Sequence, residues 1–213
     1  MIIAKSSGTS VPRELTPAGT HIARCYSMVH IGTVQWEYLG EIKNTDKVRL
    51  TFELPYETKV FNEEKGEQPL VISKEYTLSL HEKANLRQDL ENWRGKSFTE
   101  KEAKEFDISK LIGAPCSLSV IHKEAKNGNT YANIGAITAL PKGSVCPVQV
   151  NDGFEFNFDD KFDIDFINDS PDFLKDAIKS TPEYEKCLSA LHHGHLDEQV
   201  VTEVEDESDD LPF

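Results

Sequence analysis

Between Lys47 and Leu54 polar and apolar residues alternate one for one. Val48, Leu50, Phe52 and Leu54 fall on one side, and Lys47, Arg49, Thr51 and Glu53 on the other. A period of two predicts a strand with one face in a core and one toward solvent. Pro55 is expected to end it. Upstream, from Thr20, His21, Ala23, Cys25, Ser27 and Val29 alternate with Thr20, Ile22, Arg24, Tyr26 and Met28. This pattern predicts a long first strand running on through Trp36, Tyr38 and Leu39, with Gly32 as a bulge or bend. Residues 57–68 are charged and hold Gly66, so a mobile loop or hairpin is expected there. Leu70 to Leu80 reads as a third strand, with Lys74 and Tyr76 on one face.

The period then lengthens. Leu86, Leu90 and Trp93 sit at helical spacing within Lys83 to Trp93, and Gly95 suits a C-cap. Thr99 followed by Glu100 to Glu105 predicts a second short helix, with Thr99 and Glu102 forming a capping box. Phe106 to Ile112 is expected to add a further turn. Cys116 to His122 returns to strand character, Asn127-Gly128 signals a hairpin turn, and Thr130 to Leu140 supplies a last strand. Three strands, a helical segment and a two-strand hairpin follow the order of the five-stranded OB-fold barrel. The expected fold is therefore mainly β, with a helical insertion between strands 3 and 4.

The flanks differ from this body. Residues 6–19 are rich in Ser, Thr, Pro and Gly and read as a flexible lead-in. Beyond Pro141, Gly143, Pro147 and Gly153 comes an acidic-aromatic run holding Phe154, Phe156, Phe158, Phe162, Ile164 and Phe166. It predicts an extended arm that lays alternate apolar side chains on a surface. Pro171 to Lys179 and Thr181 to His192 read as short amphipathic helices with Ser170 and Thr181 as N-caps. These segments are expected to cover the barrel or to join two protomers as a homodimer. Three parts result: a barrel domain over 1–150, an arm with short helices over 151–196, and a disordered acidic tail over 197–213.

Charge changes the picture. The chain has 213 residues and a formal net charge of −14, which by itself argues against a nucleic-acid partner. The distribution reverses that. Residues 1–150 carry 19 Lys+Arg against 18 Asp+Glu, whereas residues 151–213 carry 4 against 19. A near-neutral body joined to an acidic extension makes whole-chain charge misleading. Cys25, Cys116, Cys146 and Cys187 are scattered, with no Cys-x-x-Cys, which fits a reduced cytoplasmic setting better than a disulfide framework. No run reaches transmembrane length, so no membrane partner is expected.

The tail cannot pack as a core, because like charges repel and apolar content is low. Most such tails are merely solvated. This one ends in Asp209-Asp210-Leu211-Pro212-Phe213, an apolar hook beside a terminal carboxylate, suited to capture by a partner. That pentapeptide resembles the acidic tip of bacterial single-stranded DNA-binding proteins. The block from Ser73 to Gly95, with Gly113-Ala-Pro-Cys116 and Ala139-Leu-Pro-Lys-Gly143, is similar to bacteriophage proteins of the same type. The resemblance covers roughly residues 17–143 and, separately, the tip. It implies sequence-independent binding of single-stranded DNA in phage DNA replication, recombination or repair, in the host bacterial cytoplasm, without catalysis or cofactor. It also implies that Asp209, Asp210, Leu211, Pro212 and Phe213 recruit replication or recombination proteins, while the tail competes with DNA. The helical insertion and acidic extension depart from the bacterial proteins, so their DNA-contacting aromatics do not transfer by position.

Single-strand binders need cations for phosphates and flat rings for bases. The candidates are Trp36, Tyr38, Lys43, Lys47, Arg49, Lys74, Tyr76, Lys123, Lys126 and Tyr131. Lys47 and Arg49 lie opposite the apolar face, and Lys123 and Lys126 flank the Asn127-Gly128 turn. Any one of these alone reads more readily as a surface charge or core ring than as a DNA contact, and Trp93 reads as core. Asp159, Asp160, Asp163 and Asp165 would serve a metal-dependent nuclease, but they lack the glycine of a calcium loop and read as acidic surface. His192, His193 and His195 with Cys187 lack a second spaced ligand pair for zinc. A protein-only adaptor or DNA mimic is the other alternative, carried by the −14 charge.

Overall fold

The computed structural model describes residues 15–191. The readings on 192–195 and on the tail, including Asp209 to Phe213, lie outside the described residues.

Strands dominate. β1 (Gly19–Tyr38), β2 (Glu41–Asn62) and β3 (Gly66–Thr77) form an antiparallel meander. β4 (Pro115–Glu124) and β5 (Thr130–Thr138) form a hairpin whose β4 pairs with the start of β1. The resulting sheet has the order β3-β2-β1-β4-β5 and curls into a half-barrel. Between β3 and β4 the chain makes α1 (Asn85–Arg94), α2 (Glu100–Glu105) and a 3-10 turn, Ile108–Leu111. Phe52, Leu54, Leu86, Leu90, Trp93 and Leu118 meet in the core beneath the sheet.

Several local expectations hold in atomic detail. Gly95 ends α1 with φ 68°, in the left-handed region where a glycine is least strained. Thr99 accepts from the Glu102 N–H at 3.2 Å, while the Glu102 carboxylate accepts from the Thr99 N–H at 2.9 Å. The bond from the Thr99 N–H, and then one from Lys96 Nζ at 3.3 Å, hold the Glu102 carboxyl at about 2, well below its ordinary value.

Strand limits differ. Pro55 does not end β2, because the β2–β3 register slips between Leu54 and Thr58 and leaves room for a residue without an N–H. Residues 57–68 are therefore the far end of a β2–β3 hairpin. Glu53 alternates with the core residues yet is fully buried. Its carboxylate accepts from the Val150 N–H at 3.1 Å, the Asn151 N–H at 2.9 Å and Asn151 Nδ2 at 2.8 Å, so a covering segment supplies the donors that water would have given.

β1 is apolar on both faces. A register slip between Cys25 and Ser27 switches its parity. Ala23, Cys25 and Met28 enter the main core, while Val29 and Ile31 point the other way. There they meet the C-terminal arm: β6 (Phe154–Phe156), which pairs parallel with Ser27–Val29, then α3 (Ile164–Asp169) and α4 (Asp172–Lys179). Phe156, Ile167 and Ile178 are fully buried in this second core, each contributing about 1.5–3 kcal/mol relative to exposure. The arm thus covers the barrel in its own chain, and part of it is helical rather than extended. Ser170 is not an N-cap: its hydroxyl donates to the Phe166 carbonyl at 2.8 Å and finishes α3, while Pro171 starts α4. Thr181 does cap the helix over 182–191, accepting from the Tyr184 N–H at 3.3 Å.

Candidate nucleic-acid interface

The β1–β2 hairpin closes through Leu39 (φ 53°) and Gly40 (φ 81°). Two consecutive left-handed residues make the turn whose twist suits a two-residue hairpin. Trp36 faces Lys43 and Tyr38 faces Glu41 across the strands. Trp36 Nε1 donates to Thr45 Oγ1 at 2.8 Å, which fixes the indole across the hairpin. The Tyr38 ring lies 5.8 Å from it, and Lys43 Nζ sits 4.8 Å from the Tyr38 centroid. Trp36 and Tyr38 are 45% and 51% exposed. Two large rings held at the surface beside an ammonium have the geometry that base stacking next to a phosphate contact requires.

The β4–β5 hairpin repeats this composition. Lys123 lies opposite Tyr131, and Lys126 stands exposed beside the turn at Gly128 (φ 78°). Asn127 Oδ1 accepts from the Asn129 N–H at 3.0 Å, and Nδ2 donates to the Tyr131 hydroxyl at 3.4 Å. Hydrogen bonding from Asn127, and then from Asn129, lowers the Tyr131 phenol below its ordinary value.

The middle strands require a correction. Lys47 and Arg49 do lie opposite the core face, but Arg49 donates to Glu75 at 2.9 Å and its guanidinium lies 5.1 Å from the Phe173 ring on α4. Lys47 is 3.9 Å from the same carboxylate. Lys74 and Tyr76 share a face, as the alternation predicts, but it is the inner one, because Tyr76 pairs with Val48 and Lys74 with Leu50. Tyr76 is 4% exposed. Its hydroxyl donates to Asp89 Oδ2 at 2.7 Å, and Lys74 Nζ reaches the same oxygen at 2.7 Å. Burial, then the Asp89 charge, pushes the Tyr76 phenol up. A ring so enclosed cannot stack on a base, and Tyr76 leaves the set of candidates. Trp93 is core, as read, with Nε1 donating to the Pro115 carbonyl at 2.9 Å.

Two adjoining clefts run along β3. One, of about 550 Å³, is lined by Lys47, Lys74, His81, Lys83 and Asn85. The next, of about 580 Å³, includes Arg49, Lys74, Asn85, Gln88, Lys123 and Asn133. Lys83, His81 and Gln88 are additions that no strand pattern could supply, since they sit on the loop and helix after β3.

Among the described residues, no group of three His, Cys, Asp or Glu side chains is placed to hold a metal ion. In the acidic run, Asp163 caps α3 by accepting from the Phe166 N–H at 2.9 Å. No helix of the described residues is long and apolar enough to cross a membrane. A scan of known protein families gives no matching model, and no curated protein matches the chain.

Proposed function

We propose that this chain is a sequence-independent single-stranded DNA-binding protein built on an OB-like barrel, acting without catalysis in phage DNA replication or recombination. The observation that carries the reading is the Trp36–Tyr38–Lys43 cluster: two exposed rings, one fixed by Thr45, with a cation against the other. Sheet order supports the fold. In β3-β2-β1-β4-β5 the outer strands are the two that an OB barrel brings together, and the helices fall between β3 and β4. Base stacking on such rings is sequence-tolerant, because every base has a π-face, and contributes about 1–3 kcal/mol per base. Lys43, Lys123 and Lys126 meet phosphates at the two hairpins. The acidic tail competes for the same cations at high effective concentration, and Leu211-Pro212-Phe213 recruits partner proteins of replication or recombination.

The test is a comparison of labelled oligo-dT, oligo-U and duplex DNA by fluorescence anisotropy, with full-length protein and with protein lacking residues 197–213. Tighter binding of oligo-dT than of duplex, strengthened by tail removal, is expected. No binding of any nucleic acid even after tail removal would favour a protein-only adaptor.

A further inference from the structure

The outer face of β2 offers less free charge than its sequence implies. Arg49 is paired with Glu75 and roofed by Phe173, and Lys47 shares that carboxylate. A phosphate track over that face would therefore have to break an ion pair and displace α4. The edge of β3 is different. The two clefts share Lys74, Glu75 and Asn85, so they adjoin and together make a channel along the strand. Five cations line it against two acids: Glu75 holds Lys47 and Arg49 and Asp89 holds Lys74, so the surplus rests on Lys83 and Lys123. Lys83 and Lys123, which stand in different clefts, are exposed and make no ion pair among the described residues. Neither the Asn85 nor the Gln88 side-chain amide has a hydrogen-bond partner among the described residues. In a chain of net charge −14, a channel with a cationic surplus and idle amide donors is out of keeping with its surroundings. It also meets the β4–β5 hairpin, because Lys123 belongs to both and faces Tyr131.

We propose that this channel along the β3 edge, at the open seam with β5, binds the phosphodiester backbone of single-stranded nucleic acid, with Lys83 and Lys123 as its phosphate contacts. The inference rests on the single-strand reading above and names where the backbone runs: beside β3, not across the outer face of β2. Asn85 and Gln88 supply neutral donors to phosphate or base edges between the two cations. An acidic peptide is the other polyanion of suitable charge; the channel's connection to the Lys123–Tyr131 hairpin, where a ring is available to a base, favours nucleic acid.

The experiment is a salt titration of labelled oligo-dT binding to full-length protein, wild type against Lys83→Gln/Lys123→Gln. Removing both phosphate-binding cations should lower the log–log slope by about 1.4, at roughly 0.7 per phosphate neutralised on a single strand. Tryptophan quenching at saturating DNA should be unchanged, since Trp36 is untouched. Lys83→Arg/Lys123→Arg should restore the wild-type slope, and matching melting curves would exclude misfolding. A wild-type slope in the Gln pair would overturn the channel while leaving stacking at Trp36 intact. A Gln pair that keeps the DNA slope but loses affinity for a peptide of residues 197–213 would give the channel to the tail and overturn it equally. Failure of wild-type protein to bind or quench at all would sink the single-strand reading and this inference together.

Discussion

Arg49 and Phe173 are 124 residues apart in the chain, yet the guanidinium lies 5.1 Å from the centre of the ring. This contact ties the C-terminal arm to the outer face of β2, where Arg49 is also held by Glu75 at 2.9 Å. Arg49→Ala is expected to leave the salt dependence of DNA binding within error. It should lower stability by under about 1 kcal/mol, as exposed pairs do. Urea unfolding alongside a salt titration checks both halves.

The arm's second anchor is at Gly32, whose φ is +95°. A Cβ there would meet Glu183 Oε2 and Phe158 Cε2 at 3.0 Å and Thr181 Cβ at 3.1 Å. Glu183 accepts from the Thr33 N–H at 3.0 Å and from the Thr33 hydroxyl at 2.6 Å. Burial raises the Glu183 carboxyl, but those hydrogen bonds outweigh it and leave it lowered. Gly32→Ala is expected to cost about 1–3 kcal/mol through the strained φ alone, and to loosen the arm. Faster proteolysis between residues 150 and 190, with the barrel surviving as a fragment, is the expected readout.

The Glu102 carboxyl is held at about 2 in the folded chain against an ordinary 4.5, first by the Thr99 N–H. Its contribution to stability is therefore full above 4.5 and lost as pH falls through about 2. The stability difference between wild type and Glu102→Gln should shrink over that window. A difference independent of pH would remove the capping box as its source.

Cys25 is buried, and desolvation pushes its thiol up to about 12; Cys116 is raised for the same reason. A thiolate-directed reagent at pH 8 should modify Cys146 and Cys187 first, and reach Cys25 and Cys116 only on unfolding. Peptide mapping after timed alkylation checks the order.

What the sequence made legible follows locality. The Thr99–Glu102 box, the Leu86–Leu90–Trp93 stripe and the Gly95 cap each depend on residues a few positions apart, and all are found. The face on which Tyr76 sits depends instead on its pairing with Val48, 28 positions away. A one-residue change of register would have turned the ring outward. The same is true of Val29 and Ile31: their exposure in a one-layer sheet would be costly, and only the arm, more than 120 residues on, explains them. The stretch Glu41–Asp46 has no alternation and becomes strand because the Leu39–Gly40 turn pairs it with Gln35–Tyr38 and their neighbours. At the site, Trp36 and Lys43 could be named as types; that Thr45 fixes the indole required the hairpin register.

Trp36 carries the central claim, and its own fluorescence tests it. In a Trp93→Phe background, which silences the buried indole, saturating poly-dT should quench the remaining emission. Trp36→Ala in otherwise wild-type protein should weaken binding roughly 5- to 150-fold, the equivalent of about 1–3 kcal/mol for one stacked base, with an unchanged melting temperature. Emission unaffected by saturating poly-dT, together with wild-type affinity in Trp36→Ala, would contradict the account.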